Sequence, residues 1–185
     1  MSSLVDFTLA AWALLEVGLR VREVVRGKGR RDHDRATRIL IAVTLGAAIA
    51  AALLARSAAP SLGTPVALRI AGVVVMWLGL ALRVWAVAAL GGAFRTTVEV
   101  DPGQAVVSTG PYKWILHPSY TGLLLILLGF GLAVGNWLSL AACVVVPLPA
   151  LVRRIHIEEA ELNRVLGDAY RSYASDKARL IPRLW

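Results

Sequence analysis

Two short polar segments contain most of the residues that could carry chemistry. The first, GPYKWILHPSYTG at residues 110–122, places His117 and Pro118 directly before an apolar run that predicts a helix. Backbone amides at a helix start can bind a carboxylate or another polar ligand group, so this segment is a candidate ligand site. The alternative is that His117 only caps the helix while Pro118 fills its first position, as proline often does.

The second segment, RRIHIEE at residues 153–159, lies on a predicted helix. Arg154 and Glu158 are one helical turn apart and share a face, whereas Glu159 lies about 100° further round. Arginine can hold an anion with two parallel hydrogen bonds, and a carboxylate suits the hydroxyl or amino groups of a ligand. The alternative is a solvated ion pair between Arg154 and Glu158, worth a few tenths of a kcal/mol.

Other catalytic and metal-binding patterns are absent from the sequence. It contains no CxxC, HExxH, P-loop or nucleophile-elbow motif, and its three histidines lack the spacing of metal ligands. We therefore expect no metal site. Cys143, the single cysteine, lies in an apolar run and is expected to be a small core residue.

The composition predicts that these segments belong to a membrane protein. Of 185 residues, 57% are apolar and 17% are charged, the formal net charge is +8, and the mean hydropathy is +0.65. Soluble domains carry about 45–50% apolar and about 25% charged residues. The chain therefore has too little polar surface for a soluble globular enzyme, and its length allows one domain.

Five apolar segments predict an all-helical integral membrane protein with five transmembrane helices. Their lengths are close to the roughly 20 residues that a bilayer requires. They cover residues 4–21, 39–55, 66–90, 120–134 and 137–152. The last two meet at Gly135 and Asn136, which predicts a tight helical hairpin, and Pro147 and Pro149 are expected to kink the fifth helix.

The positions of the basic residues predict the orientation. They are abundant between the first two segments and after the last, moderate between the third and fourth, and sparse in the other two loops. The positive-inside rule then places the N-terminus outside and the C-terminus in the cytoplasm, in the cell (inner) membrane. We expect the basic residues 26–38 to orient the chain and contact anionic membrane lipids rather than to bind nucleic acid.

Both polar stretches then face the cytoplasm. The domain would comprise three N-terminal transmembrane helices in residues 1–90, followed by a loop, the hairpin and a cytosolic tail in residues 91–185. The tail is expected to start as a helix that extends the fifth span. Its apolar stripe consists of Leu162, Leu166, Ala169 and Tyr173, and Gly167 interrupts it at an expected bend.

In order and spacing, these blocks resemble the isoprenylcysteine carboxyl methyltransferase family, which is related to the phospholipid methyltransferases. The resemblance begins at LRVW in residues 82–85 and continues through GQAVVSTGPYKWILHPSYTG and the GNW hairpin. It ends with a block of the form EE…L…G..Y..Y and the Arg179…Pro182 ending. It implies an integral-membrane enzyme that uses S-adenosyl-L-methionine.

The resemblance also implies the residues of the cofactor pocket. At matching positions these are Gln104, Ala105, Val106, Val107, Tyr112, His117, Pro118, Ser119, Tyr120, Glu158 and Glu159. Arg154 would contact the methyl-accepting substrate, and Arg154 and His117 are the candidate catalytic residues. Many relatives carry Arg directly before His-Pro, where this chain has Leu116. If that Arg binds a carboxylate of the cofactor or the substrate, another cation must do so here, with Arg95, Lys113 and Arg153 as candidates.

The predicted function is methyl transfer from S-adenosylmethionine to a lipophilic small-molecule or lipidated acceptor, and a carboxylate is the preferred acceptor group. A carboxylate is ionised at neutral pH and needs no general base. An amine or thiol on a phospholipid, an isoprenoid or a small hydrophobic molecule is the alternative, and an amine would need His117 or Glu159 as base. A non-enzymatic scaffold or transport protein is the alternative from another class.

Two charged residues fall inside the predicted spans, where charges often have a function. Glu16 is expected to pair with Arg20, four residues further along the same helix. For Arg83, a structural role and a position facing the cofactor cavity are both left open.

Overall fold

The computed structural model describes residues 2–25, 35–58, 65–94, 100, 105–182 and 185, and the regular secondary structure in these ranges is helical. The helices are α1 (Ser2–Val25), α2 (Arg35–Ala58), α3 (Val66–Leu90), α4 (Pro118–Val134), α5 (Trp137–Val145), α6 (Leu148–Leu166) and α7 (Asp168–Ala174). Short 3₁₀ turns at Gly91–Ala93 and Gly110–Lys113 lie between α3 and α4. The all-helical prediction is confirmed for this part of the chain.

The helices have the length and surface of an integral membrane protein. In the described ranges three are long and apolar enough to cross a membrane, namely Ala36–Ala55, Val66–Ala93 and Trp137–Leu166, and the 17-residue α4 is apolar but shorter. Large apolar side chains point outward from all three, among them Leu54, Leu78 and Val145. Such a surface favours lipid over water. That α1 and α4 also cross, with the N-terminus outside, stays a prediction.

Glycines allow α3 and α4 to pack with their backbones in close approach. Gly72 and Gly79 of α3 face Gly129 and Gly122 of α4. A Cβ added to Gly79 would lie 2.6 Å from the carbonyl oxygen of Gly122, and one added to Gly129 would lie 2.5 Å from that of Gly72. Small residues at helix crossings bring membrane helices together in this way. The start of α4, with its polar residues, is thereby fixed against the end of α3.

The predicted hairpin and kink are both confirmed. Gly135 ends α4 in the left-handed conformation with φ 77°, and the Asn136 side chain caps α5 by accepting hydrogen bonds from the amides of Leu138 (2.8 Å) and Ser139 (3.4 Å). The turn at Val146 and Pro147 then separates α5 from α6. Beyond this turn, side chains of α6 reach the start of α4. Cys143 is fully buried in the core, as predicted.

The C-terminal tail folds back onto the start of α4. Its backbone runs beside residues 115–117, where the amides of Leu116 and His117 donate to the carbonyls of Ala178 and Arg179, both at 2.9 Å. The Thr121 hydroxyl also donates to the Leu180 carbonyl at 2.8 Å. These contacts hold the tail, and the side chain of Arg179, against the polar residues of α4.

The expected bend at Gly167 is confirmed, but the apolar stripe is not continuous across it. Gly167 adopts φ 56° between α6 and α7, a conformation that favours glycine. The turn changes which face of α7 points inward, so Ala169 is exposed whereas Tyr170 is buried. The prediction that Ala169 belongs to the buried stripe was therefore wrong.

Candidate functional site

His117 lies at the N-terminal boundary of α4 but does not cap it with its side chain. The residue precedes Pro118, which fills the first helical position as predicted, and its ring makes no capping hydrogen bond. Instead Nε2 lies 3.2 Å from Oε1 of Glu159, and the ring is 4% exposed. An ionised carboxylate can only accept, so Nε2 carries a proton when this bond forms. Of the capping alternative, the position of Pro118 is therefore correct, whereas the His117 side chain does not cap the helix.

The carboxylate of Glu159 is held from two sides. In addition to His117, Arg179 donates from Nε to Oε1 at 2.9 Å and to Oε2 at 3.1 Å. Glu159 is itself buried. A buried carboxylate with two cationic or N–H partners is fixed in position, and it fixes the orientation of the His117 ring in turn.

Arg179 joins the candidate site through Glu159, and the sequence did not assign it there. Of the cations considered from the sequence, Lys113 and Arg153 are exposed and Arg95 lies outside the described residues, so their role as replacements stays a prediction. Leu116, directly before His117, is buried. The available signal was the position of Arg179 in the Arg179…Pro182 ending, but only the return of the tail onto α4 brings its side chain to Glu159.

A second set of hydrogen bonds links α2, α4 and α6. The Tyr120 hydroxyl donates to Oε2 of Glu158 at 2.7 Å and accepts from Nε of Arg154 at 3.3 Å. Nη1 of Arg154 also donates to the Thr37 hydroxyl at 3.2 Å. Arg154 is only 3% exposed. A solvated surface ion pair between Arg154 and Glu158 is therefore excluded, and the Tyr120 hydroxyl lies between the two groups.

Tyr112 completes the described centre of the site. It is buried in the 3₁₀ turn before α4, and its carbonyl accepts a hydrogen bond from the Tyr173 hydroxyl at 2.8 Å. Burial, and secondly the charge of Glu158, raise the pKa of the Tyr112 phenol, so it remains neutral. The rings of His117 and Tyr120 lie 5.7 Å apart, centroid to centroid. Aromatic faces and carboxylates thus meet at one end of α4.

The predicted pocket residues of the preceding loop are described in part. Ala105, Val106 and Val107 lie in a segment without regular secondary structure and are exposed or half-buried, and Gln104 lies outside the described residues. Within the described part of the chain, no group of three or more His, Cys, Asp or Glu side chains could hold a metal ion.

Arg83 of α3 links α1 to the first turn of α4, next to the candidate site. It donates to Glu16 from Nε (2.5 Å) and Nη2 (2.9 Å), and from Nη1 to the carbonyl (3.0 Å) and hydroxyl (2.8 Å) of Ser119. Glu16 is therefore paired with Arg83 of α3, and the prediction that it pairs with Arg20 was wrong. Because α1 packs on α3, Arg83 reaches the Glu16 carboxylate, whereas the Arg20 side chain is exposed. The contacts of Arg83 with the first turn of α4 support the structural role, and a position facing the cofactor cavity stays a prediction.

Comparison of the sequence with known proteins identifies relatives of this chain. The family model described as "Isoprenylcysteine carboxyl methyltransferase (ICMT) family" matches residues 71–164. The chain is similar to protein-S-isoprenylcysteine O-methyltransferase A of Arabidopsis thaliana, with 29% identity over 60% of this chain and 57% of that protein. It is also similar to the uncharacterized protein YpbQ of Bacillus subtilis, with 32% identity over 47% of this chain and 56% of that protein.

The fold has a counterpart among solved structures. A structure of the eukaryotic intramembrane Ras methyltransferase ICMT superposes with a TM-score of 0.71 and 23% sequence identity, over 98% of this chain and 67% of that one. The match shows a shared fold. The chain spans about half the length of the curated relatives it matches, 57% and 56% for the two proteins above.

Proposed function

The chain belongs to the isoprenylcysteine carboxyl methyltransferase family, and on this basis we propose that it transfers a methyl group from S-adenosylmethionine to a lipophilic acceptor at the cytoplasmic face of the membrane. The observation that carries the proposal is the chain of hydrogen bonds from Glu158 through Tyr120 to Arg154. It joins a carboxylate suited to the cofactor to a buried guanidinium suited to an anionic acceptor.

The donors and acceptors present fit S-adenosylmethionine. Oε2 of Glu158 accepts from Tyr120, and Oε1 is available in the half-buried side chain for a ribose hydroxyl or an amino group. The aromatic faces of Tyr112 and Tyr120 can stabilise a cationic sulfonium. When bound, the cofactor would supply an electrophilic methyl group on its sulfonium, for in-line displacement by an oxygen of the acceptor carboxylate with the thioether as leaving group. Gln104, Ala105, Val106, Val107, Pro118 and Ser119 are the further contacts that the family motif supports.

The acceptor is assigned to Arg154. Thr37 and Tyr120 hold its guanidinium in a fixed orientation, and a planar guanidinium binds a carboxylate with two parallel hydrogen bonds. The preferred acceptor is therefore a carboxylate on a lipid-like or lipidated molecule, which would enter from the bilayer between helices. The protein's contribution is proximity, orientation and electrostatics.

The pair of His117 and Glu159 favours one alternative acceptor. A buried imidazole oriented by a carboxylate is the usual arrangement of a general base, which a carboxylate acceptor does not need but an amine does. In the preferred function Glu159 acts through His117, keeping the ring against the cofactor. With an amine acceptor, the same ring would take up the proton.

Calorimetric titration of S-adenosylmethionine into the purified protein in detergent tests the cofactor assignment. Glu158→Gln removes the charge and keeps the shape, so binding should weaken about tenfold to a hundredfold, the contribution of a hydrogen bond to a charged group. Glu161→Gln on the same helix is the matched control, because Glu161 pairs with the exposed Arg164. Absence of binding by the wild-type protein would contradict the proposed function.

A further inference from the structure

Tyr170 carries an unpartnered buried hydroxyl. Among the described residues, one buried side-chain polar atom has no hydrogen-bond partner, and it is the phenol oxygen of Tyr170. The residue is 4% exposed. Burying a hydroxyl without a partner is unfavourable, so a protein retains such a group where another molecule satisfies it or where packing compensates. The sequence block that contains Tyr170 assigns it no role.

Tyr170 lies on α7 next to Tyr173, a residue that contacts the candidate site. The turn at Gly167 directs the side chain inward from α7, with its ring centroid 6.1 Å from that of Tyr173. Burial and the nearby carboxylates of Glu159 and Glu158 raise the pKa of the Tyr170 phenol, with Arg179 acting in the opposite direction. The hydroxyl is therefore a protonated donor, and Tyr173 beside it is hydrogen-bonded to Tyr112 of the candidate site.

We propose that the Tyr170 hydroxyl is a ligand contact that forms a hydrogen bond with a polar group of bound S-adenosylmethionine. The inference rests on the proposed function and adds α7 to the elements that line the cofactor site. Tyr173, one turn away, is a contrasting residue because its hydroxyl already donates to the carbonyl of Tyr112. The two tyrosines differ in whether the protein itself satisfies the hydroxyl.

Tyr170→Phe tests the proposal with two measurements on the full chain in detergent. Calorimetric affinity for S-adenosylmethionine should fall about threefold to tenfold, because one hydrogen bond is lost. The thermal midpoint of the ligand-free protein should equal or exceed that of the wild type, because no bond within the protein is lost. Tyr173→Phe is the control and should lower the ligand-free midpoint.

The outcomes separate this inference from the proposed function. Wild-type binding with an unchanged affinity in Tyr170→Phe would overturn the inference and leave the proposed function standing. A Tyr170→Phe protein that is less stable without ligand, or that fails to fold, would also overturn it, because the hydroxyl would then have an internal role. A wild-type protein that does not bind S-adenosylmethionine would overturn the proposed function and this inference together.

Discussion

The Tyr120 hydroxyl connects two residues that have different proposed tasks. It donates to Glu158, assigned to the cofactor, and accepts from Arg154, assigned to the acceptor. Neither neighbour can turn without losing its bond to the same oxygen atom. At the residue scale, Tyr120 is thus the group that fixes the separation between the two halves of the proposed reaction.

Tyr120→Phe keeps the ring and removes this connection. We expect kcat/KM to fall about tenfold, because Arg154 and Glu158 each lose a partner and a misplacement of either affects methyl transfer. Steady-state kinetics with the identified acceptor provides the measurement. Unchanged kcat/KM would show that the connection has no part in catalysis, and the exposed Ser172→Ala serves as a control that should match the wild type.

At the scale of elements, the position of the site depends on the close approach of α3 and α4. The glycines at this crossing leave no space for a side chain, since a Cβ on Gly79 would also lie 2.8 Å from the amide nitrogen of Ile126. Arg83, four residues after Gly79 on α3, then reaches Ser119 in the first turn of α4. The packing of two helices therefore positions the polar residues at their ends.

Gly79→Ala should destabilise the protein by about 1–3 kcal/mol, because the added methyl group would force α3 and α4 apart. Thermal unfolding in detergent measures the effect. Gly46→Ala is the matched control: a Cβ there meets no atom within 4 Å, and replacing a helical glycine with alanine is favourable. Equal midpoints for the two variants would contradict the tight crossing.

Arg83→Leu should destabilise the protein by about 3 kcal/mol, because the partly buried carboxylate of Glu16 would lose its partner. Adding Glu16→Leu to this variant removes the unpaired charge and should restore part of the thermal midpoint. A double variant that is no more stable than Arg83→Leu alone would show that the two side chains are not coupled.

At the scale of the whole molecule, the predicted orientation places the polar end of the bundle in the cytoplasm. Cysteine labelling in a Cys143→Ala background tests it, because Cys143 is the single cysteine. A membrane-impermeant maleimide should label Trp137→Cys, at the exposed hairpin end, in intact cells. It should label the exposed Ser175→Cys only after permeabilisation. The opposite pattern would contradict the orientation.

Local signals in the sequence were sufficient to predict the helices and turns, but they did not identify every residue of the candidate site. Gly135 with Asn136, Pro147 and Gly167 act on their own backbone, so their turns could be predicted. His117 and Arg154 stand in motifs that could be located. The partners Arg179 and Glu16, by contrast, lie 20 residues from Glu159 and 67 from Arg83 in sequence, and only tertiary packing brings them together.

The most direct test of the account is transfer of a labelled methyl group from S-adenosylmethionine to an extract of native membrane lipids, with the product identified by mass. We predict a labelled lipophilic product carrying a methylated carboxylate, and a loss of at least about tenfold with Arg154→Ala because an anionic acceptor loses its partner. Arg164→Ala, an exposed residue on the same helix, is the control. A wild-type protein that binds the cofactor but labels no product would contradict the account.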